Sequence, residues 1–446
     1  MSTVNVPKTI DQSKMNRFFV IVAVLAFLGL LFDGYAQGVY STSLPSLIQD
    51  TGIEPTVFGL IGSYTLYGMI AGGIIFGMLA DKIGNKKVFM LAIGFYAMFT
   101  GLMGTATTVW QFSLYQVLTG MGAAGIAPVT FAMLAEYSPL KNRIQLINTT
   151  TLGMPLGRML STLAGMAILP SFGWRPMFLI GFIPLILIVF CIFYLPESMQ
   201  KLIKDDKREK IQKILKLVAP EYTPSIDEQY ETEIRPSDKG SFLSLFRNGM
   251  AVNTILYWLI MALCMFIIYG LVTWLPKMMM GAGYNLGSSL TFFFTFILGS
   301  IPGILLSGPL ANKIGLKNTL SLYAAVPALV VLLLMLKLDT ILVSIVLFVL
   351  GAGMYGLLGL IFTFISVSYP LAFRGTGLGW ANAVGRFGGS FAPMTGGILI
   401  AQEASLITNF IVFATVPFLL IVICVVVSQL IAKKAASPIN REKIVD

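Results

Sequence analysis

Twelve apolar stretches, each about as long as a helix that crosses a bilayer, constrain this chain more than any other feature. They run over residues 18–40, 57–79, 88–106, 110–135, 145–169, 175–195, 250–275, 288–311, 318–336, 340–367, 376–400 and 405–432. A helix needs about 20 apolar residues to span a hydrocarbon core of ~30 Å. The fold class expected is therefore an all-α membrane protein with twelve transmembrane helices. Charged residues are 11% of the chain against 56% hydrophobic, where a soluble domain carries about 25% charged residues. The polar start, Met1 to Arg17, lacks a cleavable signal pattern, so the first run is expected to stay in the membrane.

The excess of positive charge, +10, is not gathered into a basic fold with aromatic platforms, which argues against nucleic acid as a partner. The charges sit in the gaps between runs and give the topology. Lys8, Lys14, Arg17, Lys82, Lys86, Lys87, Lys141, Arg143, Lys313, Lys317, Arg374, Lys433 and Lys434 fall on one side with the Lys-dense segment 196–249. Arg175, Lys277 and Lys337 fall on the other. Lysine and arginine accumulate on the cytoplasmic face, so both termini are expected there. The organisation follows: a cytoplasmic tail 1–17, a six-helix bundle 18–195, a cytoplasmic linker 196–249, a second six-helix bundle 250–432 and a tail 433–446. Within the linker, Ile203, Ile211, Ile214, Leu215 and Val218 fall at helical spacing on a basic background. That pattern reads as an amphipathic helix lying on the cytoplasmic leaflet.

The two bundles repeat one another. Gly77–Lys87 (GMLADKIGNKK) recurs as Gly308–Asn318 (GPLANKIGLKN) at an offset of 231, as do Leu44-Pro45 in Leu275-Pro276 and Gly120/Gly122 in Gly351/Gly353. Tyr137 maps to Tyr369 at 232, and Leu156-Gly157-Arg158 to Val384-Gly385-Arg386 at 228. Six spans duplicated in parallel describe two pseudosymmetric bundles with a solute site near the midplane.

Three ionisable residues lie well inside the runs: Asp33, Arg158 and Arg386. Each costs ~2.5–3.5 kcal/mol or more at the bilayer centre, so each is a candidate for function. The competing reading is a buried ion pair that holds helices together. The two arginines occupy equivalent places in the repeat and are expected to face one cavity from either half. Guanidinium groups remain charged and grip carboxylates through two parallel hydrogen bonds, which points to an anionic substrate. With Asp33 ionised the three sum to +1, with Asp33 protonated to +2, so proton and anion occupancy are expected to be coupled. Tyr35, Thr130, Tyr355, Trp380 and Asn382 lie on spans expected to line the cavity, where they would hydrogen-bond or stack on a planar solute. Helix packing explains each of these five equally well. Histidine is absent, which leaves carboxylates as the proton carriers and removes the commonest metal ligand. Cys191, Cys264 and Cys424 lie inside apolar runs without metal or redox spacing. No cofactor or metal is expected, and no catalytic constellation is present. The chain reads as a transporter and not an enzyme.

Over nearly its whole length the sequence resembles the major facilitator superfamily, above all in the loop Gly77–Lys87. Within that superfamily it resembles the aromatic acid:proton symporters. The residues that carry this are Phe32-Asp33-Gly34-Tyr35, LTGMGAAGIAPVTFAMLAEYSP at 118–139, FGWRPMFLIG with LPES near span six, and YPLAFRGTGLGWANAVGRFGG at 369–389. The resemblance implies the major facilitator fold, a bacterial inner membrane, and Asp33 as the proton-linked residue. It also implies a gating latch at the cytoplasmic helix ends formed by Asp81, Glu136 and Arg143, asymmetric because Asn312 matches Asp81 in the second half. The sequence departs from the family in three places. Ala36 stands where a second aspartate is usual, Gln116 where span four usually begins with an arginine and so meets the substrate, and Arg158 is an addition. Loss of one arginine and gain of another either moves the anion grip to span five or signals a substrate with two carboxylates.

The resulting expectation is a secondary active transporter, acting as a monomer, that imports a small organic anion with protons by alternating access. The anion would be an aromatic acid or a carboxylate from aromatic breakdown. Exchange or uniport without protons is the alternative, with drug efflux and a non-transporting sensor behind it.

Overall fold

The computed structural model describes residues 3–222, 229–231 and 242–247, nearly all of 250–403, and most of 408–423. Lys337, Cys424, the tail 433–446 and much of the twelfth run lie outside these residues. Among the described residues the regular structure is helical apart from one pair of three-residue strands, β1 (Thr3–Asn5) and β2 (Gln229–Glu231). The helices in chain order are α1 (Val6–Gln12), α2 (Arg17–Thr51), α3 (Pro55–Ile83), α4 (Asn85–Met103), α5 (Val109–Glu136), α6 (Arg143–Thr151), α7 (Gly153–Phe172) and α8 (Arg175–Leu179). They continue with α9 (Pro184–Tyr194), α10 (Met199–Lys204), α11 (Arg208–Val218), α12 (Ala251–Gly281), α13 (Leu286–Ile314), α14 (Leu316–Leu333), α15 (Thr340–Ser368) and α16 (Arg374–Ala401).

Among the described residues, ten helical segments are long and apolar enough to cross a membrane, and they coincide with the first ten apolar runs. Two of these segments are interrupted, in each case by proline. Pro155 has no N–H to offer Thr151, and the fifth span breaks at Leu152 into α6 and α7. Pro184 has none for Ile180, so the sixth tightens into a 3-10 turn at Ile180–Phe182 between α8 and α9. The eleventh run is α16, 28 residues long, with glycine and two arginines lowering its apolarity.

The chain divides into two compact units. Unit 1 holds Met1–Leu47 and Tyr64–Ser237; unit 2 holds Ile48–Ser63 and Asp238–Asp446. The end of α2 and the start of α3 thus group with unit 2. There a Cβ on Gly59 would fall 2.5 Å from the Pro393 carbonyl, and Ser63 Oγ donates to the Ser390 carbonyl.

One expectation is corrected in unit 1. The amphipathic helix forms, as α11, but protein rather than lipid covers its apolar face. Ile211, Leu215 and Val218 are fully buried in a cluster with Val6 and Ile10 of α1 and Phe19 of α2. The N-terminal segment forms the clasp. β1 pairs in parallel with β2, Thr3 opposite Gln229, and Asn16 Nδ2 donates to the last carbonyls of α11, those of Leu217 and Val218, at 3.0 Å each. Burying three aliphatic side chains contributes roughly 1.5–3 kcal/mol each. Periodicity reveals that a helix has an apolar face; it does not reveal what occupies that face.

The repeated tyrosines secure the two ends of the linker, each within its own unit. The Tyr137 hydroxyl donates to the Glu197 carbonyl just before α10. The Tyr369 hydroxyl donates to Thr254 Oγ1 (3.1 Å), and Thr254 donates in turn to the Leu245 carbonyl (2.7 Å) just before α12.

Candidate functional site

Asp33 is completely buried on α2, and Arg158, on α7, is 5% exposed. They do not stand alone. Gln37, one helical turn after Asp33, donates from Nε2 to Asp33 Oδ2 at 3.0 Å. Its Oε1 accepts from Arg158 Nη2 at 2.6 Å. Acid, amide and guanidinium thus form one hydrogen-bonded chain across two helices. Backbone contact between α2 and α7 makes this reach possible. A Cβ on Gly157 would lie 1.8 Å from the Leu31 carbonyl oxygen, and one on Gly38 2.3 Å from Ser161 Oγ. Gly34 and Gly38 on α2, and Gly153 and Gly157 on α7, repeat at the four-residue spacing that lets membrane helices touch.

Composition and charge drew attention to Asp33 and Arg158 but not to Gln37, which carries no charge. Its signal is positional: a polar residue four after a buried acid shares its helix face. Ala36, the next residue after the Asp33-Gly34-Tyr35 motif, packs in the apolar core of unit 1.

The other expected residues are distributed more widely. The Tyr35 ring is buried and its hydroxyl donates to the Met177 carbonyl at 2.8 Å, so that donor is already committed to α8. Gln116 and Thr130 are both buried on α5, but 14 residues separate them. At 1.5 Å per residue that is about 21 Å, so one small solute does not touch both. Thr130 Oγ1 has no hydrogen-bond partner among the described residues. In unit 2, Arg386 and Asn382 are half-buried on α16 and Tyr355 is half-buried on α15, its ring 6.2 Å from that of Phe296. Trp380 belongs to an aromatic cluster with Phe242, at 4.6 Å between centroids, and Trp258. Its ring therefore packs against the end of the linker.

The three latch residues separate. Asp81 is exposed and belongs to none of the ion pairs among the described residues. Glu136 Oε1 accepts from Ser198 Oγ (3.0 Å) and Gln200 N (3.2 Å), which places its carboxylate at the N-terminus of α10. An acid is favoured there by the exposed N–H groups and the helix dipole. Arg143 pairs with Asp11 of α1 and donates to the Ser138 carbonyl at 3.0 Å. Glu136, Arg143 and Asp11 border one cavity of about 840 Å³ within unit 1, closed on one side by α1 and on another by α10. Glu197, from the LPES motif, accepts from Lys86 N at 3.2 Å beside Gly84, whose φ of +91° suits glycine.

The sequence pattern that defines the Major Facilitator Superfamily matches residues 26–393. The chain belongs to that superfamily. It is a multi-pass membrane transporter and not an enzyme. Among solved structures, the partially occluded inward-open xylose transporter XylE from E. coli superposes with a TM-score of 0.72 at 16% identity, over 91% of this chain and 97% of that one. That likeness concerns the fold alone. By sequence the chain is 30% identical to the benzoate transport protein of Acinetobacter baylyi, covering 92% of this chain and 89% of the relative. It is 29% identical to the gentisate transporter of Corynebacterium glutamicum (89% and 84%). It is 27% identical to the cis,cis-muconate transport protein of Acinetobacter baylyi (93% and 94%). These relatives place the chain with the aromatic acid:proton symporter family of the superfamily.

Proposed function

We propose that this superfamily member carries an aromatic monocarboxylate of the benzoate type into a bacterial cell together with a proton. The observation that carries the proposal is the buried chain Asp33–Gln37–Arg158, a proton acceptor and an anion grip joined in one network. Asp33 takes the proton. Arg158 in unit 1 and Arg386 in unit 2 are the arginines available to bind carboxylate; Gln116 or Thr130 on α5, but not both, and Asn382 and Tyr355 in unit 2 are the polar groups available to a solute. Similarity to transporters of benzoate and gentisate supports one carboxylate and an aromatic ring. Similarity to a muconate transporter, together with the second arginine, supports a ring-cleavage diacid as the second reading. The charge pattern supports an inner-membrane orientation with both termini cytoplasmic. In that orientation the surface around Asp81, Glu136 and Arg143 is the cytoplasmic gate.

The test is uptake of labelled benzoate, gentisate and cis,cis-muconate by purified protein in liposomes, with and without an inward proton gradient. Accumulation of the aromatic monoacids above the external concentration, only with the gradient, is the expected result. Accumulation of muconate alone selects the diacid. Equilibration that ignores the gradient removes proton coupling.

A further inference from the structure

The apolar face of α11 is taken up within the protein, and the opposite face is left outward. Lys210, Lys213 and Leu217 follow one another at three- and four-residue spacing, so they share a side of the helix away from the buried Ile211, Leu215 and Val218. All three are exposed, as is Lys216 beside them. On α2, Arg17, Val20 and Val24 have the same spacing and are exposed too. Since α2 crosses the membrane, its outward valines face lipid and Arg17 heads their stripe at the lipid boundary.

The two stripes converge on Asn16. Its Oδ1 accepts from the N–H groups of Phe18 (2.9 Å) and Phe19 (3.4 Å) at the head of α2. Its Nδ2 donates to the carbonyls of Leu217 and Val218 at the tail of α11, at 3.0 Å each. One amide thus satisfies polar groups at two helix ends and shields an anion from the negative carbonyl end of α11. Arg17 and Lys216 are each one residue away from this contact, and Lys213 is about one turn back. No acid occurs from Gln12 to Val20 or from Lys210 to Pro220, whereas Lys14, Arg17, Lys210, Lys213 and Lys216 are all positive. None of these five belongs to an ion pair among the described residues. Of the acids that flank the two segments, Asp11 is paired with Arg143, and Glu209 and Glu221 are exposed.

We propose that this junction binds the headgroup of an anionic phospholipid. Arg17, Lys213 and Lys216 hold the phosphate, and Val20, Val24 and Leu217 border its acyl chains. A guanidinium grips phosphate through two parallel hydrogen bonds, and an ammonium adds a point charge. The long stems of these side chains lie along apolar surface and keep the charge at headgroup depth. Topology alone does not require this arrangement, because it depends on how many positive charges lie on one side and not on their convergence above one lipid-facing stripe. A free phosphate ion would gain nothing from the exposed aliphatic side chains, so the occupant is a lipid. The linker helix therefore meets the bilayer through its lysines and not through its apolar face. The proposal is independent of the solute that the chain carries.

The experiment attaches bimane to Met15→Cys, an exposed position next to Asn16, in the full chain. The parent chain treated in the same way gives the background from native cysteines. The protein is placed in phosphatidylcholine liposomes in which a minor fraction of lipid, either phosphatidylglycerol or phosphatidylcholine, carries brominated chains that quench nearby bimane. Each lysine or arginine near an anionic surface contributes about five-fold to binding. Brominated phosphatidylglycerol should therefore quench as though enriched about ten-fold or more over its bulk fraction. Lys213→Gln/Lys216→Gln should remove most of that enrichment, and raised salt should weaken it. Lys313→Gln/Lys317→Gln, which removes the same charge from exposed positions in unit 2, should leave it unchanged. Equal quenching by the two lipids, or no quenching by either, overturns the proposal. So does enrichment that survives the loss of Lys213 and Lys216. An equal fall in the Lys313→Gln/Lys317→Gln protein also overturns it, because the attraction would then belong to the whole surface and not to the junction. Loss of the preference on adding inorganic phosphate would show a site for the free ion and would overturn the lipid assignment. Benzoate transport has no part in this readout, so its outcome stands apart from that of the uptake assay.

Discussion

The two halves of the sequence repeat share a helical plan but differ in what they bury on their first spans. At the repeat offset of 231, Asp33 corresponds to Cys264 and Gln37 to Ile268. Both of the latter are buried in α12. Packing differs in the same way. In unit 1, glycines on α2 and on α7 each bring the backbone of the other helix into contact. In unit 2, Gly385 and Gly389 of α16 face Met261 and Met265 of α12. Methionine is flexible and fills irregular space, whereas a glycine contact fixes the separation of two helices. Duplication thus supplied two similar bundles. The difference is local to the first span of each half: α2 and α7 meet through backbone, whereas Gly385 and Gly389 of α16 meet flexible apolar side chains of α12. Each half nevertheless carries an arginine at the matching place in the repeat, Arg158 and Arg386.

The largest effect expected from this contrast comes from the acids. Asp33→Asn should abolish gradient-driven accumulation while leaving exchange measurable, and Cys264→Ser should leave both near the parent's level. Equal losses in counterflow and accumulation assays would remove the division of labour between the halves. A smaller effect is expected from the arginines. Arg386→Lys keeps the charge but loses the planar fork, so benzoate affinity should fall by roughly ten-fold; unchanged binding in calorimetry would argue against a two-point grip in the second half. The smallest concerns packing. Gly157→Ala drives a Cβ into a backbone carbonyl, and overpacking of that kind costs about 1–3 kcal/mol. Gly385→Ala meets only the Met261 side chain, 2.4 Å away, which can move aside. The first substitution should lower the unfolding temperature by several degrees, and the second should change it little. The opposite order in a thermal-shift assay would show that the α2–α7 contact is not the less yielding of the two.

Much of this architecture was legible in the sequence. The runs 57–79, 288–311 and 340–367 became α3, α13 and α15 with ends displaced by only a few residues. Hydropathy reports the solvent a helix sits in, and here that solvent is lipid. The repeat was legible for the same reason, since its markers are glycines, prolines and charges at fixed turns. The partner of α11 was not, because an apolar stripe is equally suited to a bilayer and to a neighbouring helix. Arg143 illustrates a further limit. Its charge marked a helix end, but Asp11, its partner, lies 132 positions earlier in the chain, and nothing in the local pattern joins them. Gln37 gives no such signal, because it is neutral. Its importance comes from what stands at each of its ends.

The clasp of the N-terminal segment on the linker has a consequence for biosynthesis. β1 is synthesised well before its partner β2, which begins at Gln229. Contacts so distant in sequence form late, after the intervening chain has been made and inserted. Until then the apolar side chains of α1, Val6 and Ile10, have no place to bury themselves. Closure of the strand pair therefore marks the moment at which the first six spans are complete. A quality-control protease or chaperone that reads exposed N-terminal apolar residues would find them only on chains that have not reached that point.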